Sequence, residues 1–240
     1  NYLADDAETR VVAMHLEDVK DGRPFMDAAR KFAARKPLLI FKPARSEAGA
    51  RASASHTGSL AVNDLIYDTA IRQAGAIRVN TWQEYWDIPK VFAYEALSTG
   101  NRVAIISHSG GAGVVAADVA VESGLAIARY SDATLDKLAK LSPRLAGNPI
   151  DLGPPLSLTD DPLFLQEKVI LEVLGDVNVD CATIVLYVGT MAPISYIVEM
   201  FDRVRKRVSK PMTVWFYGTR LSLIEDVSRQ LEGLGVPTYT

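Results

Sequence analysis

Short runs of β-branched and aliphatic residues alternate with amphipathic stretches along most of the chain, and this alternation constrains the fold more than any other feature. VVAMHLE (Val11–Glu17) and PLLIFK (Pro37–Lys42) read as buried strands. Arg23–Lys36 brings Phe25, Ala28, Ala29, Phe32 and Ala33 to one face of a helix. Pro43 to Leu60 is rich in Ser, Ala and Gly and reads as a long loop. A helix from Asn63 to Ala74, a strand at Ala76–Val79 and a helix from Trp82 to Leu97, broken near Pro89, follow. After Thr99-Gly100-Asn101 the pattern restarts. Strands are expected at Arg102–Ser107, Ala126–Tyr130, Ala182–Val188, Pro211–Tyr217 and Val236–Thr238. The helices between them are expected at Val114–Ser123, Thr134–Lys140, Pro162–Leu174, Ile194–Val208 and Leu221–Leu231, with Asn148-Pro149-Ile150-Asp151 as an extended turn.

Uniformly apolar strands alternating with helices predict an α/β fold of two flavodoxin-like, doubly wound parallel-sheet domains. The boundary is expected at residues 90/91. The first unit offers only three strands, and the chain opens on Asn1 and NYLADD, which reads as the end of a helix. The expectation is therefore a piece of a longer protein whose first domain is truncated at its N-terminus.

Bulk properties narrow the function classes. With 48% hydrophobic residues and a net charge of −3, the chain has the makings of a core and lacks the basic excess of a nucleic-acid binder. The basic run Arg203–Lys210 carries Val204 and Val208 at helical spacing and reads as a solvated helix face. The single cysteine, Cys181, opens an apolar strand and reads as a small hydrophobe. No apolar stretch reaches the ~18–20 residues of a membrane span, and no signal-peptide pattern opens the chain. Cytoplasmic residence is the expectation.

Three places carry candidate chemistry. In VAIIS-HSGGAG-VVAADVA a β-branched strand runs into glycines and then a helix, whose first N–H groups lack internal partners and whose dipole favours anions. This predicts a phosphate or carboxylate cradle of Ser109, Gly110, Gly111, Ala112 and Gly113; a tight turn needing Gly for geometry alone is the plainer account. The segment lacks Gly-Lys-Ser/Thr and is no Walker A loop. Written Gly111-x-Gly113-x-x-Ala116, with Asp132 ~20 residues on, it also satisfies a loosened dinucleotide fingerprint, which keeps a nucleotide-binding oxidoreductase as an alternative.

The second place is KPARSEAGARASASHTGSL, where His56 stands among small residues near Lys42, Arg45 and Arg51. A neutral imidazole is a nucleophile, and neighbouring cations favour an incoming phosphoryl group. A surface histidine in a mobile loop is the plain alternative. The third is Glu17-Asp18 at the end of the first strand, where open α/β sheets bind ligands. A carboxylate there can accept an imidazole N–H from His56 and fix its tautomer, or simply be solvated. His15 reads as a core histidine, and His108 as a phosphate contact or a turn residue. No residue spacing suggests a metal site.

KPARSEAGARASASHTGSLAVND, HLEDVKDGRPF, QAGAIRV and SHSGGAGVVAADVAVESGL…NPIDL together resemble the NDP-forming acyl-CoA synthetases of the succinyl-CoA synthetase superfamily. The resemblance implies a second CoA-ligase-type domain over 1–90 and a flavodoxin-like domain over 91–240. It also implies interconversion of acyl-CoA, phosphate and NDP with acid, CoA and NTP through phosphorylated His56. Glu17 falls on the carboxylate that steadies that histidine, and Gly111-Ala112-Gly113 on the helix start that receives the phosphoryl group. In such enzymes the histidine loop is thought to swing between two sites. CoA is then a substrate, and Mg²⁺ accompanies the nucleotide. The implied partners are a CoA-binding Rossmann domain and an ATP-grasp domain, in the same chain or a separate subunit; nucleic acid and membrane are not implied, and oligomer formation stays open. Alone, the 240 residues are expected to be inactive. Some relatives carry this scaffold beside an acetyltransferase domain and have lost the histidine; keeping His56 favours the ligase reading, and a non-catalytic scaffold or regulatory module is a third.

Overall fold

The computed structural model describes the backbone of residues 2–57, 63–189 and 193–240, and the side chains of all of these except 54–57. The chain forms two compact units, Asn1–Ala93 and Tyr94–Thr240.

Unit 1 runs α1 (Tyr2–Asp5), β1 (Val12–His15), α2 (Gly22–Ala33), β2 (Leu38–Phe41), α3 (Glu47–Thr57), α4 (Asp64–Gln73), β3 (Ile77–Val79) and α5 (Trp82–Tyr94). The strands form a parallel sheet ordered β1-β2-β3, with Val12 opposite Leu38 and Leu39 opposite Ile77. All four residues of β2 are buried, as a central parallel strand requires. Ile40 packs with Ala29 and Phe32 of α2 and Ile71 of α4 on one face, while Leu39, Phe41 and Val79 meet Tyr85, Ile88 and Phe92 of α5 on the other.

Two expectations for this unit are corrected. The Ser/Ala/Gly-rich segment contains a helix, α3, where a loop was predicted. Ser46 starts it, accepting the Gly49 N–H on its hydroxyl (3.1 Å) and the Ala50 N–H on its carbonyl (2.8 Å). Glu47 and Arg51 then pair one turn apart. α5, for its part, passes through Pro89 unbroken.

Unit 2 runs β4 (Arg102–Ser107), α6 (Gly110–Glu122), β5 (Ala126–Ile127), α7 (Asp132–Leu141), a 3₁₀ turn (Pro143–Leu145), β6 (Ile150–Asp151), α8 (Gly153–Leu156), α9 (Pro162–Gly175), β7 (Cys181–Tyr187), α10 (Ile194–Arg205), β8 (Met212–Tyr217), α11 (Leu221–Gly233) and β9 (Thr238–Tyr239). Its parallel sheet is ordered β5-β4-β7-β8-β9, with β6 beside the end of β4. Counting the five principal strands, this is the flavodoxin order 2-1-3-4-5. Asn148 prolongs the short edge: its amide oxygen accepts the Ile105 N–H, and its nitrogen donates to the carbonyls of Val103 and Ala128.

The strands alternate between two cores. Val103, Ile105 and Val185 pack against Ala116 and Ala120 of α6. Ala104, Ile106 and Ile184 pack against α7, α9, α10 and α11, with Phe201 and Phe216 fully buried. Cys181 is half-buried beside the α6 core, and burial raises its thiol pKa. In the basic run Val204 is buried, and Arg203 and Lys206 pair with Glu167 and Asp202. Among the described residues, no helix is long and apolar enough to cross a membrane.

Candidate active site

In the 2-1-3-4-5 order, β4 has its chain neighbour β5 on one side and β7 on the other. The ends of β4 and β7 therefore flank the topological switch point where such sheets bind ligands. α6 begins there. The glycines were expected to form a turn before a helix at Val114; instead the helix starts four residues earlier, and they are its first turn. Ser109 is the N-cap, in extended conformation, and its side chain makes no capping bond. The N–H groups of Gly110, Gly111 and Ala112 thus lie in the part of a helix without internal acceptors.

Each glycine has a separate reason to be there. A Cβ on Gly113 would lie 3.2 Å from Pro149 Cβ and 3.6 Å from Ser107 Cβ, so this residue lets α6 approach β4 and β6 closely. A Cβ on Gly110 would lie 2.9 Å from Asp151 Oδ2, a carboxylate on the flank of the helix start. A Cβ on Gly111 would meet nothing nearer than Ser109 Oγ at 3.8 Å. Packing does not demand glycine at 111, and the residue is exposed.

Neighbouring side chains set the electrostatics. The Ser107 hydroxyl donates to the Ser109 carbonyl (2.8 Å) and accepts the Ser109 N–H (3.1 Å). Burial raises the phenol pKa of Tyr217, and the nearby Ser109 side chain opposes that rise. Both ring nitrogens of His108 are engaged within the protein. Its Nδ1 accepts the Tyr187 N–H (3.2 Å) and its Nε2 lies 2.9 Å from Gln166 Oε1, which assigns the neutral Nε2–H tautomer. Burial lowers its pKa, and the Gln166 bond partly offsets this. Asp132, the ribose-binding candidate of the oxidoreductase reading, lies in the exposed first turn of α7, five residues beyond the end of β5, where a carboxylate suits the helix dipole.

In unit 1 the sheet's carboxyl edge gathers Glu17, Asp18, Lys42, Asp64 and Tyr67. Glu17 is exposed just beyond β1. Lys42, only 7% exposed, donates to the Pro43 carbonyl (3.0 Å) and sits 4.8 Å from the centre of the Tyr67 ring. Tyr67 in turn donates to Asp18 Oδ1 (3.1 Å). Burial lowers the Lys42 pKa, against opposing pulls from Asp18, Asp64 and Glu17. Ala44 has φ +64°, a left-handed conformation that costs about 1 kcal/mol or more for a residue with a Cβ. Arg45 binds Asp64 (3.4 Å) and Asn80 (2.7 Å), and Gly49 packs so tightly on the Ala44 corner that a Cβ would lie 3.1 Å from Ala44 Cα. His56 is the penultimate residue of α3, and its ring lies outside the described side chains. His15 is not a core histidine: it is exposed, with its ring 5.5 Å from Trp82 and 5.6 Å from Phe41.

Sequence reasoning missed the Lys42–Tyr67–Asp18 chain and the Gln166 partner of His108. Each joins residues far apart in the chain, and no local spacing announces them. Among the described residues, no group of three or more His, Cys, Asp or Glu side chains could hold a metal ion.

An open parallel sheet with a glycine-started helix at its switch point defines a flavodoxin-like α/β domain suited to an anion. Residues 1–92 match the succinyl-CoA ligase like flavodoxin domain. The alpha subunit of the ADP-forming acetate–CoA ligase II of Pyrococcus furiosus is 36% identical over 99% of this chain and 52% of its own length. The ADP-forming acetate–CoA ligase II of Archaeoglobus fulgidus is 32% identical over 100% of this chain and 35% of its own. The structure also superposes on the dinucleotide-forming acetyl-coenzyme A synthetase 1 of Ca. Korarchaeum cryptofilum, solved with phosphate and ADP, with a TM-score of 0.86 at 27% identity over 99% of this chain and 51% of that one. The chain thus spans between a third and about half of these relatives. Over its whole length the chain is similar to ADP-forming acyl-CoA ligases, and its first 92 residues match the flavodoxin domain of succinyl-CoA ligase like proteins.

Proposed function

We propose that this chain is part of an ADP-forming acyl-CoA ligase and holds two elements of its phosphoryl-transfer route. The first is His56, the phosphoryl carrier, steadied by Glu17. The second is the cradle of Ser109, Gly110, Gly111, Ala112 and Gly113. Phosphate attacks the thioester carbonyl of acyl-CoA, releasing CoA and leaving an acyl phosphate. The His56 imidazole then takes the phosphoryl group, freeing the acid, and passes it to ADP to give ATP.

The observation that carries this reading is the first turn of α6, whose unpartnered N–H groups open past a Gly111 that packing leaves free to vary. Such a turn fits three anionic phosphate oxygens, and the helix dipole supports their charge. The likeness to a synthetase solved with phosphate and ADP supports the same assignment. Glu17, exposed at the carboxyl edge of unit 1, is available to accept an imidazole N–H and to stabilise the ring as it becomes cationic. Lys42, held at the same edge, adds positive charge for the incoming group. The proposed partners are a CoA-binding domain and an ATP-grasp domain, and Mg²⁺ enters with the nucleotide.

The test uses the whole protein with γ-labelled ATP and Mg²⁺. Label that is acid-labile and alkali-stable is expected on His56 and absent from His56→Ala. Glu17→Ala is expected to lower the phosphoenzyme yield by ~10²-fold, the scale of a positioned acid–base partner. Label retained in His56→Ala would refute the carrier assignment.

A further inference from the structure

We propose that Asp151 is the proton acceptor at the start of α6. One of its carboxylate oxygens takes a hydrogen bond from the P–OH of hydrogen phosphate, selects that anion over sulfate, and receives its proton when phosphate attacks the thioester. This deepens the ligase reading and rests on the phosphate cradle assigned there.

The backbone fixes where Asp151 stands. It is the last residue of β6, and the pairing of β6 with β4 sets it opposite Ser107, two residues before the N-cap of α6. The Leu152 N–H holds this register by donating to the Ser107 carbonyl (2.8 Å). Two glycines then leave room for the side chain. Oδ1 accepts the Gly153 N–H (3.0 Å) and would lie 3.2 Å from a Cβ on that residue. Oδ2 would lie 2.9 Å from a Cβ on Gly110, the first residue of α6. One oxygen is thus tied to the backbone, and the other stands against the first turn of the helix. Among the described residues, Oδ2 is bonded to no donor and paired with no cation.

A carboxylate beside an anion site repels any anion that cannot offer it a proton. Hydrogen phosphate can. Its P–OH gives Oδ2 a charge-assisted O–H···O⁻ bond, while its other oxygens turn to the open N–H groups of Gly110, Gly111 and Ala112. Sulfate has the same shape but carries no proton at neutral pH, so it meets Oδ2 with repulsion alone. The helix dipole would favour a carboxylate here without any ligand. The two accounts part over which anion the site admits, because a merely structural carboxylate confers no preference for a protonated one.

The same bond prepares the first chemical step. A phosphate oxygen bonds to the thioester carbonyl carbon and the C–S bond breaks. The P–OH proton passes to Asp151 and from there to the departing CoA thiolate. Acyl-CoA and HPO₄²⁻ thereby give the acyl phosphate dianion and the CoA thiol, with Asp151 returned to its carboxylate form and no other acid or base consumed.

The test uses the whole protein, as wild type and as Asp151→Asn, with folding checked by circular dichroism. Equilibrium dialysis measures binding of labelled phosphate, arsenate and sulfate. Wild type is expected to bind phosphate and arsenate, both protonated at neutral pH, at least ~10²-fold more tightly than sulfate. That is below the ~10⁴–10⁵ of a site built around a substrate hydroxyl, because Asp151 is only partly buried. In Asp151→Asn the amide oxygen can keep the Gly153 N–H, which turns the NH₂ donor to the anion, so sulfate should bind at least about 10-fold more tightly than in wild type. Phosphorolysis at saturating phosphate, followed as hydroxylamine-trapped acyl phosphate with acetyl-CoA or butyryl-CoA, should fall at least ~10²-fold, the lower end for a lost general base. Sulfate bound as tightly as phosphate by wild type, or an unchanged phosphate-to-sulfate ratio in folded Asp151→Asn, overturns the proposal. Phosphoenzyme formation from labelled ATP is followed in the wild-type preparation. Anion selection without phosphoenzyme or acyl-CoA cleavage would sustain the Asp151 site and sink the ligase reading. Phosphoenzyme without anion selection would do the reverse.

Discussion

Replacing Gly111 separates what α6 needs in order to fold from what it needs in order to work. The backbone there is helical without positive φ, and a Cβ finds its nearest neighbour 3.8 Å away. Alanine is favoured over glycine in helices by about 0.8–1 kcal/mol, so at this first-turn position Gly111→Ala is expected to stabilise unit 2 by about 0.5–1 kcal/mol. For a domain of this size that raises Tm by about 1–4 °C. Gly113→Ala should do the opposite. Its Cβ would press on Pro149 at 3.2 Å, in a packed seam between α6 and β6, and overpacking of this kind costs about 1–3 kcal/mol. Gly111→Leu keeps a good helix former in place yet sets a large side chain beside the open N–H groups. Its phosphoenzyme yield should fall by at least ~10²-fold, as when an anion-binding donor is lost. Differential scanning calorimetry and acid-quenched labelling of the whole protein give both readings. A Gly111→Ala variant that melts several degrees below wild type would refute the packing argument. Wild-type phosphotransfer by a folded Gly111→Leu variant would refute the cradle.

Two further outcomes follow from buried polar groups. The Glu95 side chain is 1% exposed, accepts the Met212 N–H (3.1 Å) and pairs with Arg205 (2.8 Å); Glu95→Ala should cost about 3 kcal/mol by stranding both partners, and adding Arg205→Met should recover part of the loss in denaturant melts. His108 has a lowered pKa in the folded state, so the unfolded chain binds its proton first; the stability it contributes is complete above about pH 6.5 and declines as pH falls from there toward the folded value, by at most about 1.4 kcal/mol per unit. Urea midpoints at pH 8, 7, 6 and 5 should show this slope in wild type and lose it in His108→Gln; an unchanged slope would place the proton uptake on another group.

The features legible in the sequence were those that repeat locally. Arg102–Ser107, Cys181–Tyr187 and Met212–Tyr217 are β-branched or aromatic runs that a parallel sheet buries, and their strands lie within a residue of the reading. α3 escaped because alanine, serine and glycine leave no apolar stripe, although Ser46, Glu47 and Arg51 carry the capping and pairing signals of a helix. Pro89 misled because a proline removes one N–H but the apolar face of α5, with Tyr85, Ile88 and Phe92, remains packed on β2 and β3. The strand-to-helix junction was legible as glycines after a strand, but the helix start was placed too late because glycine reads as turn. His15 was misjudged because strand neighbours suggest burial, while among the described residues β1 pairs with β2 alone and His15 is its exposed last residue. What joins His108 to Gln166, or Tyr67 to Asp18, depends on which strand ends the topology makes adjacent, and no spacing along the chain encodes that.

Among the described side chains of α3, residues 47–53, none is buried. A stretch whose described side chains give the core no buried apolar face gains little from its place, and an isolated helix of this length is marginal in water. Unwinding it should therefore require only a small fraction of the free energy that unfolds the unit. The geometric return is large: eleven residues span ~16 Å as a helix and ~37 Å when extended, so release of α3 would lengthen the leash of His56 by about 20 Å. The segment resembles a wound spring, pinned at one end by the Ala44 corner and Arg45 and storing travel for the residue at the other.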